Sequence, residues 1–213
     1  MDKLKLTPKS KKEAIVQGDK WRFTILTENL IRLEYSEEGI FEDRATQTVI
    51  NRDFDVPKFT VKDTEEKIVI STSTFTLTYY KKPFSKNTLS IYRKGSSSEW
   101  YYGDPIIALP GTIRTLDLAT GAVPIDPSIM SPGRIGLLDD SKTSIINDDN
   151  TITPRANNNT DIYIFTYGTD FYGCLRDFYK LTGPTPLIPR FALGNWWSRY
   201  YKYTQEEYTD LVK

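Results

Sequence analysis

Histidine does not occur in the 213-residue sequence, and cysteine occurs once, as Cys174. Without histidine, this segment cannot form a Ser-His-Asp triad, a Cys-His pair or a metal site with imidazole ligands. A single cysteine cannot close a disulfide within the chain. These absences exclude histidine-dependent catalysis and imidazole metal sites from this segment, and we expect no metal and no cofactor.

Long hydrophobic runs are also lacking. No stretch approaches the roughly 18 apolar residues of a membrane-spanning helix, and the lysine-rich residues 1–12 have no apolar stretch behind them. We expect a cytoplasmic protein with no membrane partner. Lys and Arg together number 28, as do Asp and Glu, so the net charge is zero. This balance gives no electrostatic reason to expect a nucleic-acid partner.

Aromatic residues are abundant, at 13% of the chain with 14 tyrosines, and they favour β-strands over carbohydrate-binding platforms. Apolar and polar residues alternate in residues 21–26 and again in 30–35, which predicts an antiparallel pair of strands. The clearest alternation is in residues 74–79, where Phe75, Leu77 and Tyr79 share one face. The sequence therefore predicts a mainly β fold. Further strands are predicted at 54–61, 67–73, 89–92, 135–138 and 162–167.

The pattern changes twice along the chain. Residues 100–131 are rich in Gly, Pro, Asp and Thr, which predicts a long irregular segment that is either functional or disordered. Residues 169–182 then place apolar residues at helical spacing, with Gly183 and Pro184 as a stop signal. Residues 192–197 predict a buried strand, and Thr204 with Glu207 predicts a capping box that opens a last helix. That helix meets no stop signal before Lys213, so we expect a chain cut partway into a β/α domain.

Several segments carry a specific pattern. They are Ile-Arg-Leu-Glu-Tyr-Ser at 31–36 with Phe-Glu-Asp-Arg-Ala-Thr-Gln at 41–47, Gly-Thr-Ile-Arg-Thr-Leu-Asp at 111–117 with Leu-Asp-Asp-Ser at 138–141, Phe-Tyr-Lys-Leu-Thr-Gly at 178–183, and Pro-Arg-Phe-Ala-Leu-Gly-Asn-Trp-Trp-Ser-Arg-Tyr at 189–200. In this order and spacing they resemble glycoside hydrolase family 31, which includes α-glucosidases and α-xylosidases.

The resemblance implies an architecture. Residues 1–12 would be a flexible lead, 13–187 an N-terminal galactose-mutarotase-like antiparallel β-sandwich, and 188–213 the first β/α unit of a truncated TIM barrel. The full-length protein would be a retaining α-glycosidase that hydrolyses an α-glucoside or related oligosaccharide. Its nucleophile, in a Trp-x-Asp-Met-Asn-Glu motif, and its acid/base aspartate would lie further along the barrel. This fragment would be inactive, pack against the barrel and lend a loop to the substrate site.

The same resemblance implies three substrate-binding residues. Asp117 lies in the irregular segment and would accept hydrogen bonds from sugar hydroxyls, although a turn-capping aspartate is the commoner use. Tyr201 or Tyr203 would line the sugar pocket after the first barrel strand, with barrel packing as the alternative. Asp139 and Asp140 are the obvious carboxylate pair, but neighbours on a strand point to opposite faces, which predicts a turn or strand-end pair.

Two other functions remain open. A stand-alone carbohydrate-binding β-sandwich would suit the high tyrosine and tryptophan content, but it has no need of the helix–strand–helix tail. A mutarotase or epimerase on a similar sandwich commonly depends on histidine, which this chain lacks.

Overall fold

The computed structural model describes residues 6–97, 99–112, 119–133, 135–156, 158–185, 187–196 and 200–213. Its elements are predominantly strands. In chain order these are β1 Ile15–Gln17, β2 Trp21–Ile25, β3 Leu30–Tyr35, β4 Ala45–Thr46, β5 Thr60–Asp63, β6 Ile68–Ser71, β7 Phe75–Tyr79, β8 Leu89–Arg93, β9 Glu99–Tyr101, β10 Gly136–Asp139, β11 Ile145–Ile146, β12 Ile152–Thr153 and β13 Thr160–Phe165. Two α-helices, α1 Phe171–Thr182 and α2 Gln205–Leu211, and two 3₁₀ helices, Lys12–Ala14 and Arg190–Leu193, complete the set.

Two five-stranded antiparallel sheets form a sandwich. The first sheet has the order β1-β2-β3-β13-β10, and the second has the order β5-β6-β7-β8-β9. Aromatic rings interlock between them: the ring of Tyr79 in the second sheet lies 5.4 Å from that of Trp21 and 5.2 Å from that of Phe23 in the first. These rings belong to one buried cluster with Leu33, Leu77 and other apolar residues of both sheets. The prediction of a mainly β, antiparallel fold is confirmed.

Most of the individual strand predictions hold. The first predicted pair forms β2 and β3, with Phe23 opposite Leu33. In β7 the side chains of Phe75, Leu77 and Tyr79 are fully buried, as the alternation predicted. The strand predicted at 54–61 is wrong, because only Thr60–Asp63 at its end pairs with β6. Pro57 within that segment has no amide to donate to a ladder.

A third layer covers the outer face of the first sheet. It consists of the small sheet β12-β11-β4, the segment around Val49 and Phe54, and helix α1. Leu30 and Phe165 of the first sheet pack with Cys174 and other apolar residues of this layer. As a result β2 is buried at every position, and its polar residues Arg22 and Thr24 do not face water.

Both predicted helices are confirmed with their caps. The Asp170 carboxylate accepts a hydrogen bond from the amide of Gly173 at the start of α1. The helix ends where Gly183 adopts a φ of +91°, a conformation that glycine favours. At α2 the Thr204 hydroxyl accepts from the Glu207 amide and the Glu207 carboxylate accepts from the Thr204 amide, which is the predicted capping box.

The buried strand predicted at 192–197 is wrong. Residues Arg190–Leu193 form a 3₁₀ turn, Trp197 lies outside the described residues, and Phe191 and Trp196 are about three-quarters exposed. A strand needs a neighbour for its backbone groups, and among the described residues this segment joins none of the three sheets. Of the predicted first β/α unit, the described residues therefore form the helix α2 but not the strand.

Helices in the described ranges are all too short or too polar to cross a lipid bilayer.

Candidate functional site

The two predicted tyrosines lie side by side, while the predicted aspartate cannot be placed. Asp117 falls outside the described residues. The rings of Tyr201 and Tyr203 meet edge to face, with centroids 4.7 Å apart. The ring of Tyr203 also packs edge to face on that of Tyr208 in α2, with centroids 5.8 Å apart. Tyr201 is half exposed, so part of its ring is open to a sugar or to another protein surface.

Tyr201 belongs to a larger set of exposed apolar side chains, which we name the C-terminal apolar surface. Tyr200 is fully exposed, and the indole of Trp196 is fixed by a 2.9 Å hydrogen bond from its Nε1 to the Ala192 carbonyl. Large apolar side chains are rarely exposed together in such number unless they meet a partner surface. The surface comprises Leu187, Ile188, Phe191, Leu193, Trp196, Tyr200, Tyr201, Tyr208, Leu211 and Val212.

The irregular segment predicted at 100–131 has an ordered base. Strand β9 occupies its start, and beyond it two limbs run antiparallel. The Leu109 amide donates to the Met130 carbonyl at 2.8 Å, and the Ser128 amide donates to the Leu109 carbonyl at 2.9 Å. Gly111 permits a close approach of the two limbs, because a Cβ there would lie 2.6 Å from the Asp126 carbonyl oxygen. These hydrogen bonds therefore fix residues 109–112 beside residues 126–130.

The best carboxylate pair in the described residues is Asp140 with Asp161, not Asp139 with Asp140. One guanidinium bridges the pair, since Arg155 Nη2 lies 3.0 Å from Asp161 and 3.6 Å from Asp140. Arg32 binds Asp161 through two nitrogens, Nε at 2.8 Å and Nη2 at 2.7 Å. Asp139 ends β10 and is exposed, so the predicted strand-end position is right but the burial of Asp140 was missed.

The two buried carboxylates differ in acidity. Burial and the neighbouring Asp161 charge raise the pKa of Asp140 to about 6. Burial opposes the ionisation of Asp161 as well, but the attraction of Arg32 outweighs it and holds the pKa of Asp161 well below its ordinary value. Two carboxyl groups, one with a raised and one with a lowered pKa, can act as acid and base in glycoside hydrolysis.

Access rules out that chemistry at this pair. The side chains of Asp140 and Asp161 are 0% and 1% exposed, so no sugar can reach them. The Thr46 hydroxyl donates a 2.9 Å hydrogen bond to the Asp140 carboxylate. The guanidinium groups of Arg32 and Arg155 donate to the Asp161 carboxylate. The pair is therefore a structural element that joins the third layer to the first sheet.

The same ionic network continues across the sheet. The Arg22 guanidinium donates to both oxygens of Glu34 at 2.6 and 3.0 Å, and Arg32 Nη2 lies 3.0 Å from Glu34. Arg32 also donates to the carbonyl of Glu42 at 2.8 Å, which attaches the covering segment. Charged residues within otherwise apolar strands were the only sequence signal for this network.

Comparisons with known proteins agree with the sequence motifs. No family model matches the chain. Over 59 residues, which are 28% of this chain and 8% of the relative, the sequence is 36% identical to an α-xylosidase of Saccharolobus solfataricus. A glycoside hydrolase family 31 dextranase of Flavobacterium johnsoniae complexed with glucose aligns with 90% of this chain at 18% identity and a TM-score of 0.48. A mutant of that dextranase complexed with isomaltotriose aligns with 90% of this chain at 15% identity and a TM-score of 0.47.

The chain is a mainly β protein that is similar to glycoside hydrolases. Its similarity is to family 31, which confirms the resemblance found in the sequence motifs. The chain spans 8% of the length of the α-xylosidase and 30% of the length of the dextranase.

Proposed function

We propose that the chain is the non-catalytic N-terminal part of a retaining α-glycosidase of family 31 that cleaves an α-glucoside or a related oligosaccharide. Residues 13–187 would be its galactose-mutarotase-like sandwich, residues 1–12 a lead, and residues 188–213 the beginning of its TIM barrel. The chain itself would be inactive, pack against the barrel and lend the segment around Asp117 to the substrate site.

The observation that carries this proposal is the C-terminal apolar surface. Up to Leu181 most of the large apolar side chains belong to two buried clusters or pack against them, whereas from Leu187 onward they are mostly exposed. Burying apolar area yields roughly 25 cal/mol per Å², so a partner surface would stabilise this region strongly. A barrel on the same polypeptide would be that partner, and it would supply the neighbour that a strand at 190–197 needs.

Chemistry also favours assigning catalysis to the barrel. Retaining hydrolysis needs two accessible carboxylates about 5 Å apart. The Asp140 and Asp161 pair is inaccessible, so it does not supply them. In the complete enzyme Asp117 would accept hydrogen bonds from sugar hydroxyls, and Tyr201 or Tyr203 would line the pocket with an aromatic face.

Hydrolysis of chromogenic α-glucosides and α-xylosides tests the proposal. We expect the complete gene product to release the chromophore and the purified 213-residue chain to release none. Turnover by the 213-residue chain, or a gene that stops after the codon for Lys213, would overturn it.

Substitution in the complete enzyme tests the three substrate-contacting residues. Asp117→Ala and Tyr201→Ala should each raise KM, because a hydrogen bond or a stacking contact to the sugar is lost, and Tyr203→Ala tests the alternative aromatic position. Glu66→Ala, an exposed change in the turn between β5 and β6, is the matched control. Unchanged kinetics in all three variants would remove these residues from the substrate site.

A stand-alone carbohydrate-binding module is the second candidate. It is favoured by Tyr92 and Tyr101, which are more than a third exposed on the outer face of the second sheet. Such a module would bind a polysaccharide without a barrel. Loss of polysaccharide retention on substitution of both tyrosines by Ala, with no hydrolytic activity in the complete gene product, would favour this candidate.

A further inference from the structure

A cleft of about 550 Å³ opens at one end of the sandwich, and we name it the end cleft. It lies where the turn between β1 and β2 and the end of β3 meet the end of β5 and the turn after β7. Its volume falls within the range of about 300–1,000 Å³ found for small-molecule sites. Neither Tyr201 nor Tyr203 lines it.

Aromatic side chains lie at the base of the end cleft, where Tyr35 is partly exposed, Trp21 is 8% exposed and Tyr79 is fully buried. Trp21 and Tyr35 are directly opposite each other in the ladder of β2 and β3, and Tyr79 packs against Trp21. The Tyr79 hydroxyl donates to the Lys82 carbonyl at 2.7 Å, which holds the turn after β7. Gly18 leaves the indole edge uncovered by a side chain, because a Cβ there would lie 2.6 Å from Trp21 Nε1. The indole N–H forms no hydrogen bond with any described residue and is a donor for a ligand.

The charges around the end cleft are balanced. Lys20 Nζ lies 2.8 Å from a Glu37 oxygen, and Lys81 Nζ lies 2.5 Å from an Asp63 oxygen, so both pairs neutralise themselves. Equal numbers of acidic and basic side chains give no net attraction for an anion or a cation. A neutral ligand with many hydroxyls fits this rim better than a charged one. The charged lining residues are Asp19, Glu37, Asp63, Lys20, Lys81 and Lys82.

At the rim of the end cleft, the Lys81 side chain is held in place, whereas several other polar side chains have no hydrogen-bond partner among the described residues. Lys81 adopts a φ of +52°, which is uncommon for a residue with a side chain, and its Nζ also donates to the Thr64 carbonyl at 2.6 Å. The exposed side chains of Gln17, Asp19 and Lys82 form no hydrogen bond with any described residue. They can therefore donate to or accept from ligand hydroxyls at little cost in rearrangement.

We infer that the end cleft binds a neutral saccharide. The apolar C–H face of a pyranose lies against Tyr35, and its hydroxyls bond to Asp19, Lys82 and the indole N–H. The choice of a saccharide among neutral polar ligands rests on the proposed glycosidase function. The location and the preference for a neutral ligand rest on the geometry and charge of the cleft alone.

Nuclear magnetic resonance of the ¹⁵N-labelled 213-residue chain tests this inference. Isomaltotriose and maltotriose are the neutral probes, and glucose 6-phosphate and glucosamine are the charged ones. We expect at least one neutral probe to shift the amides of residues 17–20 and 81–82 and the Trp21 indole N–H, with a Kd on the order of 1 mM. The charged probes should bind more weakly.

A double variant, Asp19→Ala with Lys82→Ala, should weaken binding by about tenfold or more because two hydrogen-bonding groups are lost. Glu66→Ala should bind as the unchanged chain does, and the spectrum of each variant reports whether it is folded. The inference is overturned by an absence of saturable shifts up to about 50 mM neutral probe, by shifts confined to Tyr201 and Tyr203, or by tighter binding of a charged probe. Because this experiment measures binding and the chromogenic assay measures hydrolysis, either proposal can fail alone.

Discussion

The two five-stranded sheets have the same strand number and the same antiparallel pairing, but their outer faces meet different surroundings. In the second sheet Thr76 and Thr78 face outward and are only partly buried, and β5 is exposed throughout. In the first sheet the corresponding positions hold Arg22, Arg32 and Glu34, which are nearly inaccessible. Charged residues thus lie inside and hydroxyl residues outside, because only the first sheet is covered by a third layer.

This difference shows how burial changes the free-energy cost of leaving a polar residue without a partner. A partly exposed threonine exchanges hydrogen bonds with water at little cost. A buried arginine or aspartate must find complete partners, because an unpaired buried charge is strongly destabilising. Substitutions and changes of pH test whether the polar residues of the two sheets differ in this way.

The largest effect is expected from Asp161→Ala in the first sheet. This change leaves Arg32 and Arg155 buried without their main carboxylate, which should lower the free energy of unfolding by about 3–5 kcal/mol. Urea unfolding followed by circular dichroism measures it. A loss below about 1 kcal/mol would mean that the network is hydrated in solution, unlike a buried ion network.

The next effect is a dependence of stability on pH. The pKa of Asp140 is raised to about 6 in the folded state from its ordinary value of 3.8, so the folded chain holds this proton more firmly than the unfolded chain does. Stability contributed by Asp140 is therefore present below about pH 4 and is lost as the pH rises toward 6. Burial raises the pKa of Glu34 too, which acts in the same direction, whereas the lowered pKa of Asp161 matters only below about pH 4.

The variant Asp140→Asn isolates this dependence. A difference of one bound proton between the folded and unfolded chains changes the free energy of unfolding by about 1.4 kcal/mol per pH unit. Between pH 4 and 6 the pH dependence of the variant should therefore be weaker than that of the unchanged chain by up to this amount. No histidine titrates in this window. Identical pH profiles for the variant and the unchanged chain would contradict the assignment.

A smaller loss is expected from Tyr163→Phe. The Tyr163 hydroxyl accepts a 2.6 Å hydrogen bond from Arg52 Nε, and both side chains are fully buried. Its removal leaves a buried donor unpaired, which costs about 1–3 kcal/mol in unfolding free energy. Tyr101→Phe in the second sheet removes an exposed hydroxyl and is the control. Equal effects of the two changes would erase the distinction between the sheets.

The smallest effect is expected from Thr78→Val on the outer face of the second sheet. The change keeps the side-chain volume and affects a partly exposed position, so the unfolding free energy should stay within about 0.5 kcal/mol. A loss comparable to that of Tyr163→Phe would show that this face is covered in solution.

Much of the fold follows from patterns confined to short segments. The buried positions of β7 and the pairing of β2 with β3 could be predicted because the side chains alternate with the strand period. The candidate sites were less predictable. Tyr201 and Tyr203 are two positions apart in sequence and their rings are in contact. The end cleft, in contrast, brings together Trp21, Asp63 and Lys82 from separate parts of the chain. No local pattern signals that such turns will meet.

The sequence alone determined the helix ends, the alternating strands and the lack of histidine chemistry, because each depends on residue identity or on contacts within about four positions. Tertiary structure alone decided which polar residues are buried. Arg32 meets Asp161 across 129 positions of sequence, and an alternating strand reads the same whether water or a third layer covers its polar face. Tertiary structure also left residues 190–193 as an exposed turn, since an apolar segment becomes a strand only where another strand lies beside it.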